Sequence, residues 1–274
     1  MKGIWTAIKY KNEVVDPGLP ESSPSKRRPV IYIWVRDTEG KRHRIKIEGF
    51  RPYFYVPTWL NSKTHELLSQ EEIEEIEEVS FNYKGSVWKL LKVYTYLPGH
   101  VGRLRRLISS THGQGVVKEG DVLFELRYLI DNGIRASVEC VGRTKIVPIE
   151  EELNIPLRIV YLDLEIWSDR QIKERMRKDE YIKCITAYDS YEQIYYTWFA
   201  GEENLKSNED NWKVVKCPSV KELLINFFNY IKERDPDVIT GYNVDFDLIV
   251  LRFESYRQGL QKYFDYLSAL HDLG

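Results

Sequence analysis

The stretch VYLDLEIW carries Asp163 and Glu165 two positions apart, and these are the residue types and the spacing from which chemistry can be built. A strand turns alternate side chains to one face, so the two carboxylates stand side by side there. Val160, Leu162, Leu164 and Ile166 make the other face apolar, the pattern of a central strand covered by helices. Unpaired carboxylates taken out of water cost several kcal/mol each, and their mutual repulsion raises a pKa unless positive charge intervenes. A divalent cation resolves both problems; so does a strand end where the pair is solvated or meets Lys or Arg. A second acidic cluster, GYNVDFDL, follows a short apolar run and places Asp247 in the first turn of a helix. Acidic residues there ordinarily cap the helix or complement its dipole. Asp247 has a second reading if its strand lies beside that of Asp163: it then points back toward Asp163 and Glu165. Three convergent carboxylates without His or Cys nearby are hard oxygen ligands, better suited to Mg²⁺ or Mn²⁺ than to zinc. Two such ions, about 3.5–4 Å apart, activate a water and stabilise the leaving oxygen of a phosphodiester, which is nuclease chemistry. Competing chemistries lack their parts: there is no Gly-rich phosphate loop and no G-x-S-x-G, and the five histidines, His43, His65, His100, His112 and His271, are scattered.

The elements that must position these groups are legible around them. Leu157 to Trp167, Tyr181 to Tyr188 and Gln193 to Phe199 read as three strands of an antiparallel meander, the last two joined at Asp189-Ser190. Ser219 with Glu222 forms a capping box, and Leu223, Leu224, Phe227, Phe228 and Ile231 supply the apolar face of a helix to Arg234. Val238 to Thr240 is a short buried strand, Gly241-Tyr242 turns the chain, and a helix runs from Asp245 to Tyr256. The order β-β-β-α-β-α predicts an α/β layer on a mixed sheet.

Upstream, Gly3 to Lys9, Val30 to Arg36, His43 to Ile47 and Tyr53 to Val56 read as strands of one small, mostly antiparallel sheet, and Val87 to Tyr96 is β-rich up to the turn at Pro98-Gly99. The Pro- and Ser-rich stretch Asp16 to Pro29 reads as an inserted loop. In EEIEEIEE, Glu71 to Glu78, the three-residue spacing of Ile73 and Ile76 predicts a short helix with its carboxylates in water. His100 to Ser109 predicts a helix with Val101, Leu104, Leu107 and Ile108 inward; Arg103, Arg105 and Arg106 outward either grip phosphates or form a solvated face. An acidic stretch bracketed by prolines, Pro148 to Pro156, marks a domain boundary.

At 274 residues the chain has the length of about two domains. With 40 Lys and Arg against 42 Asp and Glu, the net charge of −2 excludes a uniformly basic coat for nucleic acid, so any such contact is local. Cys140, Cys184 and Cys217 are odd in number and widely spaced, which predicts reduced thiols and a cytosolic setting. The start MKGIWTAIKYKNE has no long apolar stretch behind a basic head, and no segment reaches ~18 apolar residues in a row. Neither an export signal nor a membrane span is expected, and the expected location is cytoplasmic.

Taken together, YLDLEIW and YNVDFD, in this order and with the lead-in DPDVITGYN, resemble the first and second exonuclease motifs of the family B DNA polymerases, in particular the archaeal ones. FRPYFYV, VWKL and RYLIDNGI resemble stretches of that family's amino-terminal domain. The resemblance implies residues 1–155 as an amino-terminal, template-DNA-binding domain and 156–274 as part of a ribonuclease H-like 3′–5′ proofreading exonuclease. It implies Asp163, Glu165 and Asp247 as catalytic metal ligands. Asn243 and Phe246 would position a frayed 3′ end, Phe246 either by stacking or by packing at the helix start. Asp245 would be an added acidic support or a cap. Arg103 and Arg106 join the expected DNA contacts. Archaeal members also capture template uracil in an amino-terminal pocket, and Pro52, Tyr53, Val101, Val122 and Phe124 resemble its lining; each also has an ordinary core explanation. Tyr10 is a weaker match because of the insertion after it. Such a pocket excludes thymine through its extra methyl.

Two departures accompany the resemblance. Ile166 and Trp167 follow the Asp-x-Glu where the family usually places a Thr directly after the Glu, and no tyrosine has the Asp four positions later that the third exonuclease motif requires. The expectation is therefore an amino-terminal fragment of a polymerase, weak or inactive by itself, whose full chain copies DNA, binds template single strand and primer 3′ end, and meets a sliding clamp through its carboxy-terminal part. A non-catalytic DNA-binding, uracil-sensing module or an inactivated relative is the alternative.

Overall fold

A computed structural model describes residues 1–60, 70–83, 85–168, 181–203, 205–207 and 209–268. The chain forms two compact units, Met1–Ile155 and Pro156–Gly274. His65 and His271 lie outside the described residues.

In the first unit, β1 (Lys2–Val14), β2 (Arg27–Asp37), β3 (Arg42–Ile47), β7 (Ser137–Val141) and β8 (Lys145–Pro148) form an antiparallel sheet in the order β3-β2-β1-β7-β8. The hairpin of β1 and β2 is longer than expected: Val14 pairs with Arg27, so the Pro- and Ser-rich stretch gives its last residues to β2. Helix α2 (Phe124–Asp131) brings Phe124, Tyr128 and Leu129 into the core with Ile31, Ile33, Val35 and Val138. A second antiparallel sheet, β4 (Tyr53–Pro57), β6 (Ser86–Thr95) and β5 (Ile73–Tyr83), packs Phe54, Val56, Leu91 and Val93 against Val101, Leu104 and Ile108 of α1 (Pro98–His112).

Strand β5 overturns the helix expected at Glu71 to Glu78. A bulge between Ile73 and Glu75 adds one residue against β6, and that extra residue lets Ile73 and Ile76, three apart, both pack on the same core. Its carboxylates are matched: Glu74 meets Arg28 at 3.2 Å, Glu75 meets Arg51, and Glu78 meets Lys89 at 3.7 Å.

The second unit is built on a mixed sheet in the order β12-β11-β10-β9-β13. Strands β9 (Ile159–Trp167), β10 (Tyr181–Asp189) and β11 (Ile194–Ala200) form the expected antiparallel meander. The outer strands β12 (Trp212–Cys217) and β13 (Val238–Thr240) run parallel to β11 and β9. Helix α3 (Val220–Arg234) starts as predicted, with the Ser219 hydroxyl accepting from the Glu222 amide at 3.2 Å. Leu223, Leu224, Phe227, Phe228 and Ile231 pack in one core with Val160, Leu162 and Leu164 of β9 and with Val250 and Leu251 of α4 (Val244–Arg257). α5 (Gln261–Phe264) and a 3₁₀ turn, Asp265–Leu267, follow. Among the described residues no helix is long and apolar enough to cross a membrane.

Candidate active site

Strand β9 alternates cleanly. Val160, Leu162 and Leu164 are buried under the helices, whereas Tyr161, Asp163, Glu165 and Trp167 are exposed on the opposite face. Period two thus sets both carboxylates on one open face, as the sequence predicts. Strand β13 lies directly beside β9, Thr240 opposite Tyr161. Gly241 then passes so close to β9 that a Cβ there would stand 2.2 Å from the Leu162 carbonyl oxygen; only glycine permits this approach. Asn243 takes the left-handed conformation at the head of α4, with φ 58° and ψ 39°.

That tight turn aims Asp247 at the sheet. Asp247 is 5% exposed, and its Oδ2 is buried with no hydrogen-bond partner. Burial, and then the negative charge of Asp163, push its pKa up to about 6. The two acidic motifs, 84 positions apart in the chain, therefore meet closely enough for one carboxylate to feel the other. Glu165 lies on the same face one pleat away, paired across the ladder with Cys184. Burial and the charges of Glu165 and Asp163 raise the pKa of the Cys184 thiol. The three cysteines are free thiols; Cys140 and Cys217 are buried, whereas Cys184 is only half-buried.

Among the described residues no three His, Cys, Asp or Glu side chains are gathered at metal-ligand spacing. The carboxylates that do meet nevertheless fit a hard divalent cation. Their donors are all oxygen, and the buried Asp247 Oδ2 is the kind of orphan that a cation satisfies.

The other predicted residues divide. Asn243 is exposed beside the site, and Phe246 is half-buried against the helix–sheet core, the packing alternative for that side chain. Asp245 is exposed in the first turn of α4. In the first unit Arg103 is turned to Glu72, which occupies its guanidinium, while Arg106 is exposed. Pro52, Tyr53, Val101, Val122 and Phe124 line one cavity of about 220 Å³, and Tyr10 joins them, its ring 5.3 Å from that of Phe124. The Tyr53 hydroxyl donates to Asp131 at 2.7 Å, and burial together with that bond drives its pKa up. Sequence reasoning missed the aromatic residues around Asp163. Tyr161, Tyr188, Tyr195 and Tyr242 line a groove with Asp163, and the one available signal is that Tyr161 sits two before Asp163 on the same strand face.

Residues 137–257 match the model of the exonuclease domain of DNA polymerase family B. The match begins within the first unit, at Ser137 on β7. The chain is 28% identical over 236 residues to DNA polymerase 3 of Saccharolobus shibatae, covering 79% of this chain and 29% of that protein. It is 27% identical over 249 residues to the DNA polymerase of Archaeoglobus fulgidus, covering 84% of this chain and 29% of that one. The chain thus spans under a third of the length of these curated relatives. The fold is similar to that of the family B DNA polymerase from the hyperthermophilic archaeon Pyrobaculum calidifontis, with a TM-score of 0.68 and 23% identity over 94% of this chain and 33% of that one. The resemblance read from the motifs is borne out at the level of the match: residues 137–257 are similar to the exonuclease domain of family B DNA polymerases, and the relatives that cover about four fifths of the chain are archaeal DNA polymerases.

Proposed function

We propose that this chain is the template-binding and proofreading region of a family B DNA polymerase, and that its second unit hydrolyses the terminal phosphodiester of a mispaired 3′ end. What supports this reading is the exposure of Asp163 and Glu165 on one face of β9 together with the buried, unpartnered Oδ2 of Asp247, whose pKa the charge of Asp163 helps to raise. Asp163, Glu165 and Asp247 would hold Mg²⁺ or Mn²⁺, which supplies the Lewis acidity for a two-metal displacement. The residues' own contribution is placement: the β9 pleat fixes Asp163 and Glu165, the Gly241 approach fixes the head of α4, and Asn243 stands exposed at the mouth where a strand end would lie. Polymerisation and a sliding clamp belong to the proposal for a longer protein.

The test is hydrolysis of a 3′-mismatched primer in Mg²⁺ by the 274-residue chain and by a longer chain carrying the same residues. Asp163→Ala should abolish whatever activity each shows, and equal hydrolysis by variant and parent would overturn the assignment.

A second reading concerns the first unit. The gathering of Pro52, Tyr53, Val101, Val122, Phe124 and Tyr10 around one cavity supports capture of template uracil. Steric exclusion of the thymine methyl is worth about 1–3 kcal/mol, so a uracil-containing single strand should bind roughly tenfold or more tightly than its thymine counterpart. Equal affinities would remove this reading.

A further inference from the structure

Beside the carboxylates, the same sheet carries a row of aromatic rings with no place in the chemistry described so far. Tyr161 on β9, Tyr188 on β10, Tyr195 on β11 and Trp212 on β12 occupy matched positions on four adjacent strands. Their ring centroids follow at 6.0, 4.7 and 5.5 Å. Tyr161, Tyr195 and Trp212 are each between 39% and 46% exposed, so π-surface that could have been buried faces solvent. The end of the row is tied to threonines of the same sheet face: Trp212 Nε1 donates to Thr197 Oγ1 at 2.9 Å, and that oxygen lies 2.9 Å from Thr186 Oγ1.

The row is continuous with the candidate active site. Tyr161, Tyr188 and Tyr195 line, together with Asp163, Thr186, Gly241 and the almost fully exposed Tyr242, a groove of about 620 Å³. Its lining contains no Lys or Arg, and its one charged residue is acidic. Phosphates gain nothing from such a wall. Nucleobases do, because every base has a π-face that stacks on an aromatic ring irrespective of sequence.

We propose that Tyr161, Tyr188, Tyr195 and Trp212 form a stacking platform for the unpaired bases of a DNA strand whose terminal phosphodiester lies at Asp163. This deepens the exonuclease reading and rests on it. Because the contact is with bases, it adds affinity with little change in the number of counterions released, unlike a basic track.

The experiment is binding of two fluorescently labelled single strands of equal length, one of thymidines and one of abasic sites, to the 274-residue chain in EDTA, where hydrolysis cannot occur. The base-bearing strand should bind roughly fivefold to a hundredfold more tightly, the range expected for one stacked base. Tyr195→Leu and Tyr188→Leu, which keep apolar cover on the sheet, should reduce that preference, and Tyr195→Phe should retain it. Equal affinity of the wild-type chain for the two strands would overturn the platform whether or not any variant folds, and so would an unchanged preference in both leucine variants. The outcome is separable from that of the exonuclease reading. Hydrolysis independent of Asp163 alongside a base preference lost in the leucine variants would sink the nuclease and leave the platform. Hydrolysis that needs Asp163 without any base preference would do the reverse.

Discussion

At the scale of single residues, the site turns on one carboxyl group that the fold holds at a disadvantage. Asp247 is buried near Asp163, and its pKa is raised to about 6 from 3.8, by burial first and by its neighbour's charge second. A carboxyl whose folded pKa is raised contributes stability that is fully present below its unfolded value and is lost as pH climbs through the folded one. In EDTA, urea unfolding should therefore show stability falling between about pH 4 and pH 7, by roughly 3 kcal/mol at most for a shift of about two pKa units. Asp247→Asn should flatten that slope, and an unchanged slope would mean that Asp247 ionises freely in the folded protein. Gly241 makes an independent prediction. Alanine there would place its Cβ 2.2 Å from the Leu162 carbonyl oxygen, so the turn must move away from β9. A loss of about 1–3 kcal/mol is expected in thermal or urea unfolding, the usual cost of forcing an atom into packed structure.

At the scale of elements, the strands that display the carboxylates are tied at their far end by Asp189, at the end of β10. Its carboxylate is fully buried. It accepts from Arg158 at 2.5 and 3.1 Å, from the Tyr230 hydroxyl at 3.0 Å and from the Tyr191 amide at 2.9 Å. Burial alone would raise its pKa, but the Arg158 and backbone hydrogen bonds overcome that and hold it below the usual carboxylate range. A lowered folded pKa gives stability present above the unfolded value and lost as pH falls through the folded one, so this tie fails only in strong acid. Asp189→Ala leaves Arg158 without its buried partner and should cost about 3–5 kcal/mol at neutral pH. A loss below about 1 kcal/mol would show that the tie is replaceable.

The same scale explains what was legible in the sequence. Strand β9, the Ser219 cap and the α3 stripe were readable because each obeys one local period or one local hydrogen bond. The bulge in β5 was not, since Ile73 and Ile76 mimic a helical step and only pairing with β6 reveals the extra residue. Within the site, the residue types and the side of the strand were readable, whereas the burial of Asp247 depends on how α4 leaves β13. The aromatic row escaped notice because its members come from four strands and share a face only through register. Arg103 read as a free cation, and its partner Glu72 lies 31 positions away by sequence.

For the whole molecule, the net charge of −2 leaves no general attraction to a polyanion, so the DNA binding proposed above has to rest on local features. Among the described residues, the first unit offers a cavity lined by Tyr53, Val101 and Phe124, and the second a groove in which Asp163 is flanked by aromatic rings. The most direct test of the account is a Mn²⁺ titration at pH 7.5, followed by the loss of the free-ion electron paramagnetic resonance signal, on the wild-type chain, Asp163→Asn and Asp247→Asn. Saturable binding by the wild type that both substitutions weaken at least tenfold is the expected result. Binding left intact by both, or absent from a longer chain that carries the same carboxylates, would contradict it.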